Sequence, residues 1–331
     1  MKTSIILPVM PEHPADLTPF AELVRDTPAH RLWQGQSLGL ETHQAFAYLA
    51  GQGFQLPVGT SVTLTALRHP YEAALQARSL ARLTGHPMAL GIGAGTPELV
   101  ESLHGKAYPS PLTALADYLT ILRGLLSGDP VLHQGRQYQM HGGLPPFEHP
   151  PVELGLGVLR PAAARLAGAL ADSAITWMTP PDYVRTVLRP EIEAAAAKAG
   201  RPAPRIVTVV HVAVRRPGRN PHQVALTAAR EHLSAPHYTD MLRRAGLRVH
   251  PMQPGLSARA LVDGGVVLTG TLSEIAAGVR RYHEAGVDEV VLNTAGVRML
   301  EGREAALRDL RAVLAEVTTS DSGQPTAAGL A

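Results

Sequence analysis

Residues 68–95 read RHPYEAALQARSLARLTGHPMALGIGAG, and this stretch decides the fold. Pro70 suits the first position of a helix, where its missing N–H has no partner to lose, and His69 ahead of it is held extended. Tyr71 to Leu83 carries apolar residues at helical spacing and stops at Gly85. Pro87 to Ile92 is then a short apolar run that reads as a buried strand and ends in Gly93-Ala94-Gly95. A helix delivering a short buried strand is the repeating unit of a parallel sheet.

The same rhythm runs outward in both directions. Strands are expected at Thr3–Met10, His30–Trp33, Leu56–Leu64, Pro87–Ile92, Glu153–Val158, Ser173–Met178, Arg205–Val214 and Val287–Asn293. Helices are expected at Asp16–Arg25, Glu41–Ala50, Tyr71–Leu83, Leu112–Leu126, Ala162–Ala171, Asp182–Ala199, Pro221–Ala245 with a break near Pro236, Ser273–Ala285 and Arg303–Val317. Gly264 to Gly270 reads as a turn-rich connection. Eight strand–helix units predict an α/β protein of the (β/α)8 TIM-barrel class, one domain over residues 1–317, with 318–331 a flexible tail. The competing doubly wound open sheet would place G-x-G-x-x-G after its first strand, and Pro8-Val9-Met10-Pro11 contains no glycine. The rhythm breaks after the fourth strand. Residues 96–151 read as a long loop, a helix, a hairpin-like piece (131–140) and a Gly/Pro stretch, an insertion placed to shape a pocket.

Composition removes several function classes. The 331 residues are 45% apolar and 18% charged, which is ordinary globular usage rather than disorder. No apolar run approaches the roughly 20 residues of a membrane helix, and the N-terminus has no signal-like core, so a cytoplasmic protein without membrane contact is expected. The cysteine count is zero, which excludes disulfides, thiolate nucleophiles and cysteine metal sites. Lys+Arg number 30 against 28 Asp+Glu and are scattered, so no nucleic-acid surface is read. Only Lys2, Lys106 and Lys198 are lysines, leaving few carriers for Schiff-base chemistry. Fifteen histidines form no H-E-x-x-H and no compact His/Asp cluster, so no metal site is expected.

The segment 68–95 resembles the bacterial luciferase-like flavin oxidoreductases. They join their third and fourth strands by R-H-P-x-x-x-A-x-Q-x-x-x-L and end the fourth in a glycine-rich turn, here Leu90-Gly91-Ile92-Gly93-Ala94-Gly95. Leu32-Trp33-Gln34-Gly35-Gln36, Leu166-Ala167-Gly168, Ala171-Asp172 and Ile175-Thr176-Trp177-Met178 agree with it, and Ala194 to Pro204 is similar to the branch that uses the deazaflavin coenzyme F420. The resemblance spans roughly residues 3–317. It implies a flavin or deazaflavin at the C-terminal mouth of the barrel.

Site residues follow from this resemblance and from the chemistry of the side chains. Gly91, Gly93, Ala94 and Gly95 are candidates for close approach of a ring or phosphate; on spacing alone they read equally as a tight turn. The resemblance implies a non-prolyl cis peptide beside Val62, within Ser61-Val62-Thr63, behind the ring. Arg160, Pro161 and Ala162 would hold a cofactor phosphate at a helix N-terminus, and Trp177 would line the pocket. Where many relatives place an Asp-His pair, Gln36-Ser37 stands here, and a glutamine hydrogen-bonds but does not shuttle protons. Gln36, His69 and His104 are the catalytic candidates. For His69 a structural histidine fixing the loop is the stronger reading, Trp33 reads at least equally as core, and Tyr108 and His141 are further pocket candidates.

The function implied is an F420-dependent oxidoreductase, a reductase or dehydrogenase. Hydride would pass between the deazaflavin C5 and an electrophilic carbon of a small molecule, such as an unsaturated residue of a peptide natural product. The alternatives are an FMN-dependent monooxygenase and a non-catalytic cofactor-binding barrel. A homodimer is expected from the resemblance.

Overall fold

The structure, a computed structural model, describes residues 1–322. Its strands are β1 (Lys2–Ile6), β2 (Leu32–Gln34), β3 (Val58–Leu64), β4 (Met88–Gly93), β5 (Val131–Gln134), β6 (Gln139–Gly142), β7 (Val152–Gly157), β8 (Ser173–Trp177), β9 (Arg205–Val214), β10 (Val267–Gly270) and β11 (Glu289–Asn293). Parallel pairing runs β1-β2-β3-β4-β7-β8-β9-β11 and back to β1, so eight strands close a barrel. These are the eight strands expected from the sequence, and helices stand between them.

Strand alternation explains the closure. Ile5, Leu32, Leu90, Leu154, Val210 and Leu292 face outward into the main core beneath the helices. Ile6, Trp33, Ala89, Ile175, Val207, Val209 and Val291 form a separate cluster inside the barrel. Both faces are apolar, as a fully covered parallel sheet requires. Glycines make room for the large inner side chains. A Cβ on Gly59 would lie 2.7 Å from the Trp33 ring, and one on Gly91 would collide with the Thr60 carbonyl and with Ile175. Gly91, read as a candidate for close approach of a cofactor, thus has a packing reason of its own to be glycine.

The floor, at the N-terminal ends of the strands, is charged. Glu289 is fully buried and accepts hydrogen bonds from Ser4 Oγ (2.6 Å), Trp33 Nε1 (2.7 Å) and Arg205 Nη1 (3.3 Å). Arg205 also pairs with Glu153 at 2.7 Å, and Arg31 lies over the Trp33 ring at 5.4 Å. Burial pushes the Glu289 carboxyl up, but Arg31 and the donors of Ser4 and Trp33 outweigh it and hold it below its ordinary value.

Three expectations are corrected. Residues 97–104 are a helix, not loop: Thr96 Oγ1 accepts from the Leu99 amide and Gly105, at φ 74°, ends it. Val267–Gly270 is a strand that extends the sheet beside His211–Val214 of β9, because the short apolar run finds an open edge there. Thr318 to Ser322 continue the last helix rather than a tail; 323–331 lie outside the described residues.

The insertion after β4 holds the helices Pro97–His104 and Pro111–Ser127 and the antiparallel hairpin β5–β6. In a second excursion, between β9 and β10, the helical stretch 221–245 is legible in the sequence, but neither the helix Pro254–Asp263 nor the place of these helices over the barrel is. The excursion's helices are Pro221–Ser234, Pro236–Arg244 and Pro254–Asp263; the first two reach the C-terminal ends of the strands, and the third packs on the first. Val224 packs on Gly296 after β11, Asp240 pairs with Arg160 after β7, and His232 stacks on Trp177 at the end of β8.

Candidate active site

The mouth of the barrel begins at an irregularity in β3. Register with β4 shifts between Thr60 and Thr63, and the Ser61–Val62 peptide is cis, as the resemblance implied. Val62 turns into the barrel against the inner cluster. Gly93 is the position that permits this, since a Cβ there would sit 2.6 Å from Val62 Cγ2. Thr60 and Thr63 both donate to the Gly91 carbonyl, at 3.0 and 3.2 Å, and fix the bulge to β4. Gly93, Ala94 and Gly95 follow at the partly open rim, Gly95 at φ 81°.

Gln36 joins this bulge. Its amide donates to the Val62 carbonyl (3.0 Å) and its Nε2 to the Ser37 carbonyl (3.0 Å), while its Oε1 is buried without a partner. Gln34, at the end of β2, is buried with neither amide atom hydrogen-bonded. The other two catalytic candidates are engaged elsewhere. His69 is exposed and caps the helix Pro70–Thr84, its Nδ1 accepting from the Tyr71 amide at 3.2 Å. His104 is exposed and bonds the Ala66 carbonyl at 2.9 Å through Nε2. Tyr108 is tied to Tyr138 (2.6 Å) and Thr65 (3.2 Å), a network that anchors the insertion, and His141 is exposed on β6.

Residues 35–39 also match Gly-x-Ser-x-Gly, a pattern found at nucleophile elbows. Ser37 does not form one. Its Oγ accepts from the Gly39 amide (3.2 Å), and among the described residues only Met178 is a non-glycine at positive φ. Nearby, Glu41 binds Arg68 and His43, each at 3.0 Å. Burial raises the Glu41 carboxyl, but His43, the Gln44 amide and Arg68 pull it down to about 2. Arg68 of the R-H-P motif thus locks two rim loops together.

On the opposite side, Arg160 stands before the helix Pro161–Leu170, which has no side-chain cap. Arg160 is exposed and lies 3.6 Å from Asp240; Ala162 beside it is also exposed. Trp177 ends β8 and is followed by Met178 at φ 52°, a conformation costly for a side-chain-bearing residue and typical of functional sites. Trp177 meets His211 edge-on at 6.0 Å and stacks on His232 at 5.3 Å. His211 is 2% exposed and both its ring nitrogens lack partners; Trp177 Nε1 and His232 Nδ1 lack them too. Burial lowers His211 to about 3 and His232 to about 4, so both rings are neutral at pH 7.

Sequence reasoning missed His211 and His232. One signal was available: His211 interrupts the β-branched run Arg205–Val214 at an inward-facing position. Among the described residues no His/Cys/Asp/Glu group could hold a metal ion, and no helix is long and apolar enough to cross a membrane.

A parallel barrel with a bulged third strand, a glycine rim and unpaired polar groups at its mouth is the frame of a cofactor-binding oxidoreductase. The chain belongs to the luciferase-like monooxygenase family, whose pattern it matches over residues 5–289. The chain is 26% identical over 176 residues to a Mycobacterium tuberculosis protein assigned as a coenzyme F420-dependent oxidoreductase, covering 49% of this chain and 50% of that protein. It is 29% identical over 163 residues to the F420-dependent glucose-6-phosphate dehydrogenase of Microbacterium testaceum, covering 47% of this chain and 48% of that one. It thus spans about half the length of these curated relatives. The coenzyme F420-dependent tetrahydromethanopterin reductase of Methanopyrus kandleri superposes with a TM-score of 0.76 at 15% identity, over 97% of this chain and 99% of that one, a likeness of fold.

Proposed function

We propose that this protein is an F420-dependent oxidoreductase acting on a small organic molecule at the barrel mouth. The observation that carries the reading is the set of buried polar atoms facing no protein partner there: Gln36 Oε1, Trp177 Nε1 and the His211 ring. Buried polar groups are ordinarily paired, so a set like this is fitted to a ligand. The deazaflavin would supply a two-electron hydride centre when bound.

The residues present fit that group. Val62 would back the ring, and the 93–95 rim, free of bulky side chains, would admit it. The uncapped start of the helix at Pro161 and Ala162, with Arg160, would hold its phosphate. Asp240 shares Arg160 and softens its charge. Gln36 would hydrogen-bond the ring or the substrate without supplying a proton. An unsaturated residue of a peptide natural product falls within the substrates this reading allows. The homodimer and the cytoplasmic setting belong to the same proposal.

Titration of the purified protein with F420 and with FMN, followed by cofactor fluorescence, tests the reading. Saturable F420 binding without FMN binding is expected. Binding of FMN alone, with oxygen uptake on reduced FMN, would instead favour the monooxygenase reading that the family's description carries.

A further inference from the structure

The inner face of the barrel continues upward from Ile175 to Trp177 on β8, and from Val207 and Val209 to His211 on β9. Asn293 of β11 lies in register with His211. The helix Pro221–Ser234 lays His232 on the Trp177 ring, and Tyr238 meets His232 edge-on at 4.8 Å. The result is one continuous wall of rings. Four of its nitrogens, His211 Nδ1 and Nε2, Trp177 Nε1 and His232 Nδ1, are buried and unpaired.

We propose that Trp177, His211 and His232 form the substrate-recognition wall of the mouth, where His211 hydrogen-bonds the polar atom of an uncharged substrate. The assignment rests on the oxidoreductase reading above and names its substrate side. Neutral imidazole offers one donor and one acceptor, and indole adds a donor, so the wall matches a hydroxyl, carbonyl or amide. Charge decides the class. No carboxylate, lysine or arginine belongs to the ring cluster; His237 is the neighbouring titratable group, with Arg160 and Glu98 acting on it. A phosphate or carboxylate buried against this wall would be desolvated without a countercharge, which is strongly unfavourable. A sugar phosphate, the substrate class in the name of one relative, does not suit it.

The test follows F420 reduction, by loss of its absorbance, with cyclohexanol and with glucose 6-phosphate. Turnover of cyclohexanol but not of the sugar phosphate is expected. His211→Phe should raise KM for cyclohexanol about tenfold or more, the loss of a ligand hydrogen bond, while the Kd for F420 stays within about twofold. His211→Asn, which keeps donor and acceptor, should recover part of the loss. Preference for glucose 6-phosphate, no turnover of cyclohexanol, or equal weakening of F420 binding in His211→Phe would overturn the proposal. If the unaltered protein binds no F420, the cofactor reading fails separately. A change in tryptophan emission on adding cyclohexanol, lost in Trp177→Phe, which leaves Trp33 as the one tryptophan, and in His211→Phe, would then still support the wall, and absence of any change would overturn it.

Discussion

At the floor of the barrel a buried carboxylate, Glu289, is bonded to Ser4, Trp33 and Arg205; at the mouth His211, as deeply buried, is hydrogen-bonded through neither ring nitrogen. The floor is built from formal charges that answer one another, though Arg31 Nε and Nη1 and Ser173 Oγ are left unpaired there. The mouth is built from neutral rings and amides. Charges cost most to bury, so they are set where their partners are fixed by the chain itself. Neutral hydrogen-bonding groups cost less to leave waiting, so they can be set where the partner arrives from outside. The floor holds the barrel together, and the mouth gives up some stability for recognition.

Substitutions at the two ends should therefore separate. Glu289→Ala strands Arg31, leaves Arg205 to Glu153 alone, and is expected to cost about 3–5 kcal/mol in urea unfolding; a loss below about 1 kcal/mol would break the contrast. Gly91→Ala drives a methyl into the Thr60 carbonyl and Ile175, and should cost about 1–3 kcal/mol by the same measurement. His69→Ala removes a helix cap and should cost about 1 kcal/mol with F420 binding unchanged; weakened binding would restore His69 to the site. His211→Phe should move stability by less than about 1 kcal/mol in either direction, since no protein hydrogen bond is lost.

The histidines also set a pH dependence. Their folded values, about 3 for His211 and about 4 for His232, lie below the ordinary 6.5, so the unfolded chain binds more protons between those limits. Their neutral burial is free of penalty above pH 6.5, and stability falls as the pH drops from there toward 4. Glu41, held down at about 2, adds a loss only below its ordinary 4.5. Unfolding midpoints between pH 6.5 and 4.5 should flatten in a His211→Phe/His232→Phe double variant; an unchanged slope would place the titration elsewhere.

The barrel was legible because strand periodicity and length survive in the chain as written, from Thr3–Met10 to Val287–Asn293. The cis bulge was legible only through resemblance. Val267–Gly270 was not, because four residues in a glycine-rich stretch become a strand only when β9 offers them an edge. Gly91 was ambiguous for a related reason: a glycine that makes room for Ile175, two strands along, looks the same in the sequence as one that makes room for a ligand. His211 escaped because a polar residue in a β-branched strand shows neither its depth nor its lack of partners. His232 escaped because nothing in a helix's own sequence says that it crosses the mouth.

The pairing of β10 with the upper half of β9 has a consequence for how this barrel can change. The excursion leaves the sheet after Val214 and returns at Val267, and Val267 lies in register with His211. Both ends of the covering helices are thus clipped to one strand, on adjacent backbones. Residues 215–266 form a cassette, closed at its base and joined to the barrel through β9. Lengthening, shortening or exchanging it redraws the roof over the mouth while the ring of eight strands keeps its register, so substrate range can diverge without the barrel being rebuilt.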